Sequence, residues 1–175
     1  MTAGTVRQLP AGIRLAAFDV DGVFTDGRFY LSDEGVESKA FSTQDGLGIK
    51  KLLAADLHVA VISSRNSRAV EARMAELGVR HLIQGAADKV AAFDSLLAAL
   101  QLSAGECVYV GDDIPDLPLL KRAGFSVAVA NAVEEVKAAC DYTTTHPGGF
   151  GAVREVCEML LAAQGKADPG APRRK

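Results

Sequence analysis

Two carboxylates stand two residues apart in Asp19-Val20-Asp21-Gly22, directly after the apolar run from Ile13 to Phe18. If that run is a buried parallel strand, both emerge at its C-terminal end, where open α/β sheets place their ligands. One carboxylate there can attack phosphorus while the other handles a proton. Such an attack brings like charges together, and a hard, oxygen-ligated Mg²⁺ suits both carboxylate and phosphate. Gly111-Asp112-Asp113-Ile114-Pro115-Asp116 follows a second apolar run, Cys107 to Val110. If the two runs lie side by side, Asp112 reaches a metal bound by Asp19. Ser63 closes a third run, His58 to Ile62, and can donate a hydrogen bond to phosphate. Lys89 opens a helical segment, Asp88 to Leu100, and supplies a fixed positive charge. Strand ends and helix starts also present backbone N–H groups to anions. Each residue alone has a plainer reading: Asp and Ser at such positions often cap helices or form turns, and a lone lysine is usually solvated.

The elements that must position these residues follow from periodicity. Leu15 to Phe18, His58 to Ile62 and Cys107 to Val110 read as buried strands, with Ser126 to Val129 as a fourth. Between them lie amphipathic stripes: Val70, Met74 and Leu77, with Asn66 as N-cap and Gly78 just past the end; Val90, Phe93, Leu97 and Leu100; and Val153, Val156, Leu160 and Leu161. Strands alternating with helices predict βαβ units, a parallel sheet and right-handed crossovers. One stretch differs. Gly27 to Ser32 and Val36 to Phe41 flank Asp33-Glu34-Gly35, which predicts a β-hairpin over 27–42 with Gly35 at positive φ, projecting over the aspartate pair. Ser103 to Glu106 fits a capping box, but it precedes a strand and is read as a false match. His146-Pro147-Gly148-Gly149-Phe150-Gly151 lacks the Lys-Ser/Thr of a P-loop and is read as a plain loop.

The chain has 175 residues, 49% hydrophobic and 23% charged, enough for one domain, expected over 9–164. A net charge of −3 and a pI near 5.6 argue against nucleic acid as partner. No apolar run is long enough to span a membrane, and Met1 to Gln8 does not read as a secretory signal. Cys107, Cys140 and Cys157 form no Cys-x-x-Cys pair, so neither a disulfide frame nor a zinc site is indicated. His58, His81 and His146 lack metal-ligand spacing and are read as structural. A calcium loop over Asp19 to Tyr30 fails because Phe24 and Tyr30 stand where Gly and Glu are required. Residues 165–175, rich in Gly, Ala, Pro and charge, are expected to form a flexible tail.

Taken together, the motifs resemble the haloacid-dehalogenase-like phosphatase superfamily over nearly the whole chain. The resemblance implies a Rossmann-like, doubly wound parallel sheet with a β-hairpin flap and no large cap domain. It implies Asp19 as nucleophile, Asp21 as acid and base, and Ser63 and Lys89 as holders of the phosphoryl group. It implies Mg²⁺ on Asp19, the Asp21 main chain and Asp112, with Asp113 and Asp116 orienting ligands and metal waters.

A narrower likeness is to the 3-deoxy-D-manno-octulosonate 8-phosphate phosphatase family. It rests on Asp19 to Gly27, Lys39-Ala40-Phe41, Asp45 to Ile49, Gly148 to Cys157 and Gln164-Gly165-Lys166. That likeness implies a cytoplasmic homotetramer acting on a sugar-acid phosphate in lipopolysaccharide synthesis, with Gly22, Arg65 and Arg73 at the substrate. Ser64 and Phe150 depart from the family's usual glycine and arginine. The rival readings are a phosphatase for another acid sugar phosphate such as a nonulosonate 9-phosphate, a phosphotransferase or mutase, and a non-catalytic assembly module.

Overall fold

The structure is a computed structural model that describes residues 8–166. Strand β1, Leu15–Phe18, is entirely buried. It leads through the Asp19–Gly27 loop into a small antiparallel hairpin, β2 (Tyr30–Leu31) and β3 (Glu37–Ser38), paired Tyr30 to Ser38 and Leu31 to Glu37. Then follow α1 (Thr43–Ala54), β4 (His58–Ile62), α2 (Arg68–Leu77), β5 (His81–Ile83), α3 (Lys89–Leu100), β6 (Cys107–Gly111), α4 (Leu117–Arg122), β7 (Phe125–Ala128), α5 (Glu134–Ala139), β8 (Tyr142–Thr143) and α6 (Ala152–Ala163).

Six strands form one parallel sheet in the order β5-β4-β1-β6-β7-β8. The chain runs outward from β1 in both directions, so β1 and its neighbours β4 and β6 mark the point where strand order reverses. Right-handed crossovers then put α1 and α2 on one face and α3, α4 and α5 on the other. Helix α6 packs along α1 and closes the first face. Leu15 lies beside His58 and Cys107, and Phe18 beside Val61 and Val110. The three central strands therefore end level, and the loops holding Asp19, Ser63 and Asp112 leave from one edge.

The hairpin forms where alternation predicted it, but with two residues per strand. Gly35 has φ +76 and donates its N–H to the Ser32 carbonyl at 2.9 Å. Several boundaries differ from the sequence reading. The N-cap of α2 is Ser67, not Asn66; its hydroxyl accepts from Val70 N–H. The fourth strand begins one residue earlier, at Phe125, and ends at Ala128. Ser103 to Glu106 is a real cap: the Glu106 carboxylate accepts the Ser103 N–H and hydroxyl, both at 2.9 Å, and closes a single 3₁₀ turn before β6. A capping box needs only one turn to cap, so the strand that follows did not disqualify it. Strands β5 and β8, three and two residues long, carry too little pattern to be read alone.

Asp45, which the sequence places in a family-like segment without a role of its own, is buried and accepts the Arg154 N–H at 2.8 Å and the Gly151 N–H at 3.4 Å. It thus caps α6 from a different helix, supplying an acceptor and a negative charge to N–H groups without intrahelical partners. Burial raises its pKa against those two bonds. Asp45→Ala leaves the donors buried without a partner and should lower the unfolding free energy by about 1–3 kcal/mol. Urea unfolding checks this; a loss below about 0.5 kcal/mol would mean the cap does not hold α6.

Candidate active site

The loops at the C-terminal ends of β1, β4 and β6 enclose a pocket of about 300 Å³ lined by Asp19, Asp21, Ser63, Ser64, Arg65, Lys89, Asp112, Asp113 and Asp116, with Gly27 and Pro115 at its wall. At its floor, Lys89 Nζ donates to Asp19 Oδ1 and to Asp116 Oδ1, each at 2.8 Å. Lys89 is the first residue of α3, capped by the Asp88 side chain, and is 8% exposed. A buried ammonium at the positive end of a helix is doubly disfavoured. Burial alone would lower its pKa; Asp19 and Asp116 reverse this and raise it.

Asp116 is engaged through both of its oxygens. Oδ1 also accepts the buried Tyr109 hydroxyl at 2.8 Å, and Oδ2 accepts the Asp112 N–H at 3.1 Å and the Asp113 N–H at 3.5 Å. It therefore fastens Lys89 and the Asp112 loop to the top of β6. Gly111 leaves room for it, since a Cβ there would lie 2.6 Å from that of Asp116. Asp113 is exposed and caps the next turn through Ile114 N–H at 2.8 Å.

Asp19, Asp112 and Asp116 each offer an oxygen within 4.8 Å of the other two, close enough to hold one metal ion. Burial, then the charge of Asp116, pushes Asp19 up to about 6 against the pull of Lys89. Burial, then Asp19 and its acidic neighbours, pushes Asp112 up to about 7. Three carboxylates and one ammonium leave two negative charges in excess, which one divalent cation would cancel. The donor set, all oxygen, fits a hard cation.

Gly22 is what lets Asp112 enter. It sits at φ +88, and any Cβ would fall on the Asp112 carboxylate. Its N–H is taken by the Thr25 hydroxyl at 3.3 Å, so it shapes the loop rather than offering a donor to the pocket. The His146–Gly151 loop has a task beyond connection. Gly148 lies against the Gly22 carbonyl, where no side chain fits, and its N–H donates to Asn131 Oδ1 at 2.6 Å. Glu155 pins the same loop through the N–H groups of Thr145 and His146 and the His146 ring.

Asp21, beside the floor, is held by two cations. Lys39 from the hairpin pairs with Oδ1, and Arg65 Nε lies 3.6 Å from Oδ2. Ser63 is buried, and its hydroxyl accepts the Arg65 N–H at 3.2 Å. Arg65 lines the pocket. Arg73 does not: it is tied to Glu76 at 2.8 Å and to the Ser42 carbonyl at 3.4 Å, between α1 and α2. Lys39 is the neighbour the sequence reading passed over as a site residue. Its alternation with Glu37 in a strand predicted to cover Asp21 was the available signal. His58 and His81 meet edge to face, ring centroids 5.9 Å apart, at the far ends of their strands.

The sequence profile of the haloacid dehalogenase-like hydrolases matches residues 80–155. The chain is 48% identical over 156 residues to the 3-deoxy-D-manno-octulosonate 8-phosphate phosphatase of Escherichia coli strain K12, covering 89% of this chain and 83% of that one. Among solved structures, the corresponding phosphatase of Yersinia pestis superposes with a TM-score of 0.88 at 46% identity, over 89% of this chain and 84% of that one. That of Moraxella catarrhalis, solved with magnesium, phosphate and KDO, superposes at 0.87 and 46% identity over 89% of both.

A carboxyl whose pKa is higher folded than unfolded binds more protons in the folded state between the two values. For Asp19 and Asp112 that window runs from 3.8 to about 6 and about 7. The metal-free fold should therefore lose stability as pH rises through it. Melting temperature should fall between about pH 4 and 7, and Asp112→Asn should flatten the slope. His81, whose pKa burial lowers, acts in the opposite sense in both proteins and drops out of the comparison. Equal slopes would contradict the excess charge. With the acidic cluster, the strand-end loops and these relatives in agreement, the chain belongs to the haloacid dehalogenase-like hydrolases, in their 3-deoxy-D-manno-octulosonate 8-phosphate phosphatase family.

Proposed function

We propose that the protein hydrolyses 3-deoxy-D-manno-octulosonate 8-phosphate to the sugar acid and phosphate. The observation that carries this reading is the Asp19–Lys89–Asp116 cluster beside Asp112, in a chain that matches phosphatases of that substrate over nearly nine-tenths of its length. Asp19 attacks phosphorus in line, forming its Oδ–P bond as the bond to the sugar oxygen breaks. Asp21 gives that oxygen a proton and then takes one from the water that cleaves the aspartyl-phosphate. Ser63 and Lys89 hold the transferring group and offset its charge. Mg²⁺, held by Asp19, Asp112 and the Asp21 carbonyl, would supply the two positive charges the cluster lacks. Asp116 and Asp113 keep the Asp112 loop in place. Arg65 meets the substrate's acidic end at the pocket mouth, while Arg73, bound to Glu76 and to the carbonyl of Ser42, the N-cap of α1, lies outside the pocket.

The unit proposed to act is one domain over 9–164. Gly165 and Lys166 close α6 through bonds to Ala162 and Leu161; the basic tail at Arg173, Arg174 and Lys175 lies outside the described residues. No helix among the described residues is long and apolar enough to cross a membrane, and we place the enzyme in the cytoplasm, in lipopolysaccharide precursor synthesis. We further propose a homotetramer joined by the hairpins. Tyr30, Leu31 and Val36 are each more than 60% exposed, an apolar patch on an unpaired edge.

Phosphate release should need Mg²⁺ and favour this ester over other sugar phosphates, including nonulosonate 9-phosphates. Asp19→Asn should lower turnover by at least about 10³-fold; a near-normal rate would remove the nucleophile. Preference for a different acid sugar would keep the chemistry and discard the substrate. Leu31→Asp should convert the assembly to smaller species in light scattering, and an unchanged mass would contradict the hairpin interface.

A further inference from the structure

Around Asp21 four charged side chains from two parts of the chain close into a ring. Lys39 Nζ pairs with Asp21 Oδ1 and lies 3.7 Å from Glu37 Oε1. Arg65 Nη2 holds Glu37 Oε2 at 2.8 Å, and Arg65 Nε lies 3.6 Å from Asp21 Oδ2. The Phe29 ring lies under both cations, 4.3 Å from the Arg65 guanidinium carbon and 5.6 Å from Lys39 Nζ. Three of these residues, Phe29, Glu37 and Lys39, belong to the hairpin; Asp21 and Arg65 belong to the body.

The Lys39 side chain is wholly buried, so a bound substrate cannot reach it unless the hairpin lifts. Among the described residues, Glu37 Oε1 is the buried side-chain oxygen without a hydrogen-bond partner. A buried carboxylate oxygen left in that state is costly, and the ammonium it faces is the group that offsets it. Glu37 therefore fixes Lys39, and Lys39 in turn fixes Asp21. A carboxylate that must first give and then take a proton at one substrate oxygen needs a defined direction. Lys39 on one oxygen and Arg65 near the other define it.

We propose that Lys39 is a positioning residue for Asp21, anchored by Glu37, so that proton transfer at the leaving oxygen depends on the hairpin being seated. Its role presupposes Asp21 as the proton carrier named above. Lys39 acts through Asp21 and not on the substrate, which separates it from Arg65 at the mouth.

Leaving groups of different basicity distinguish the alternatives, because a poor leaving group needs the proton and a good one hardly does. With saturating Mg²⁺, single-turnover cleavage is followed for 3-deoxy-D-manno-octulosonate 8-phosphate and for p-nitrophenyl phosphate. Lys39→Met should slow the sugar ester by about 10²-fold and p-nitrophenol release by less than about threefold, with KM for the sugar ester little changed; Lys39→Arg should restore most of the loss. Equal loss on both esters, or a rise confined to KM, would overturn the proposal. If Lys39→Met does not fold, Glu37→Gln should give the same split in smaller measure, and its absence would be equally decisive. Asp21→Asn is run alongside. If it shows no leaving-group dependence, the role of Asp21 is wrong; if it shows the split and the Lys39 variants do not, the positioning role is.

Discussion

The Lys89 ammonium, 2.8 Å from Asp19 and 2.8 Å from Asp116, is the contact around which the rest of the molecule is arranged. It is buried at the start of a helix, where both solvent and dipole disfavour it. Only the two carboxylates make that position tenable, and only Lys89 makes their close approach tenable. Removing Lys89 leaves two carboxylates facing each other in a buried site without a cation, a change that typically costs several kcal/mol. The sheet serves this contact: β1 delivers Asp19, β6 delivers Asp116 through the turn after Gly111, and the crossover from β5 returns α3 so that its first residue points between them.

A second layer holds the loops still. Tyr109 reaches up from inside β6 to Asp116. Gly22 clears space for Asp112. The Gly148 loop is pressed against the Gly22 carbonyl and pinned by Glu155 at the head of α6, whose own start is capped by Asp45. Rigidity of this kind lets a site hold an excess of negative charge before a cation and a phosphate ester arrive. The hairpin is the exception. It is tied to the body through Glu37, Lys39 and Phe29, and through Lys39 it touches Asp21.

How much of this could be read from the chain depended on where the physics was local. Asp19, Asp21, Ser63 and Asp112 follow apolar runs at strand ends, and a run of four or five buried residues is a signal that survives without context. Lys89 follows an N-capping Asp at the start of a periodic stripe. The hairpin turn was visible because Gly35 must adopt positive φ. What escaped was non-local. Asp45 caps a helix 106 residues away, and nothing in its own neighbourhood says so. The Ser103 cap was misjudged because a single 3₁₀ turn leaves no periodicity. Lys39 lies in a family-like segment, but its partner Asp21 stands 18 residues earlier in the loop after β1, and only folding brings them together.

Trapping the covalent intermediate is the most direct test of the claim that this charge cluster makes Asp19 a nucleophile. Borohydride reduces an aspartyl-phosphate to homoserine, and the tryptic peptide from Leu15 to Arg28 isolates the site for mass spectrometry. With Mg²⁺ and 3-deoxy-D-manno-octulosonate 8-phosphate present, homoserine should appear at position 19 and should vanish when either is withheld. Homoserine at another aspartate, or none anywhere while phosphate is being released, would contradict it.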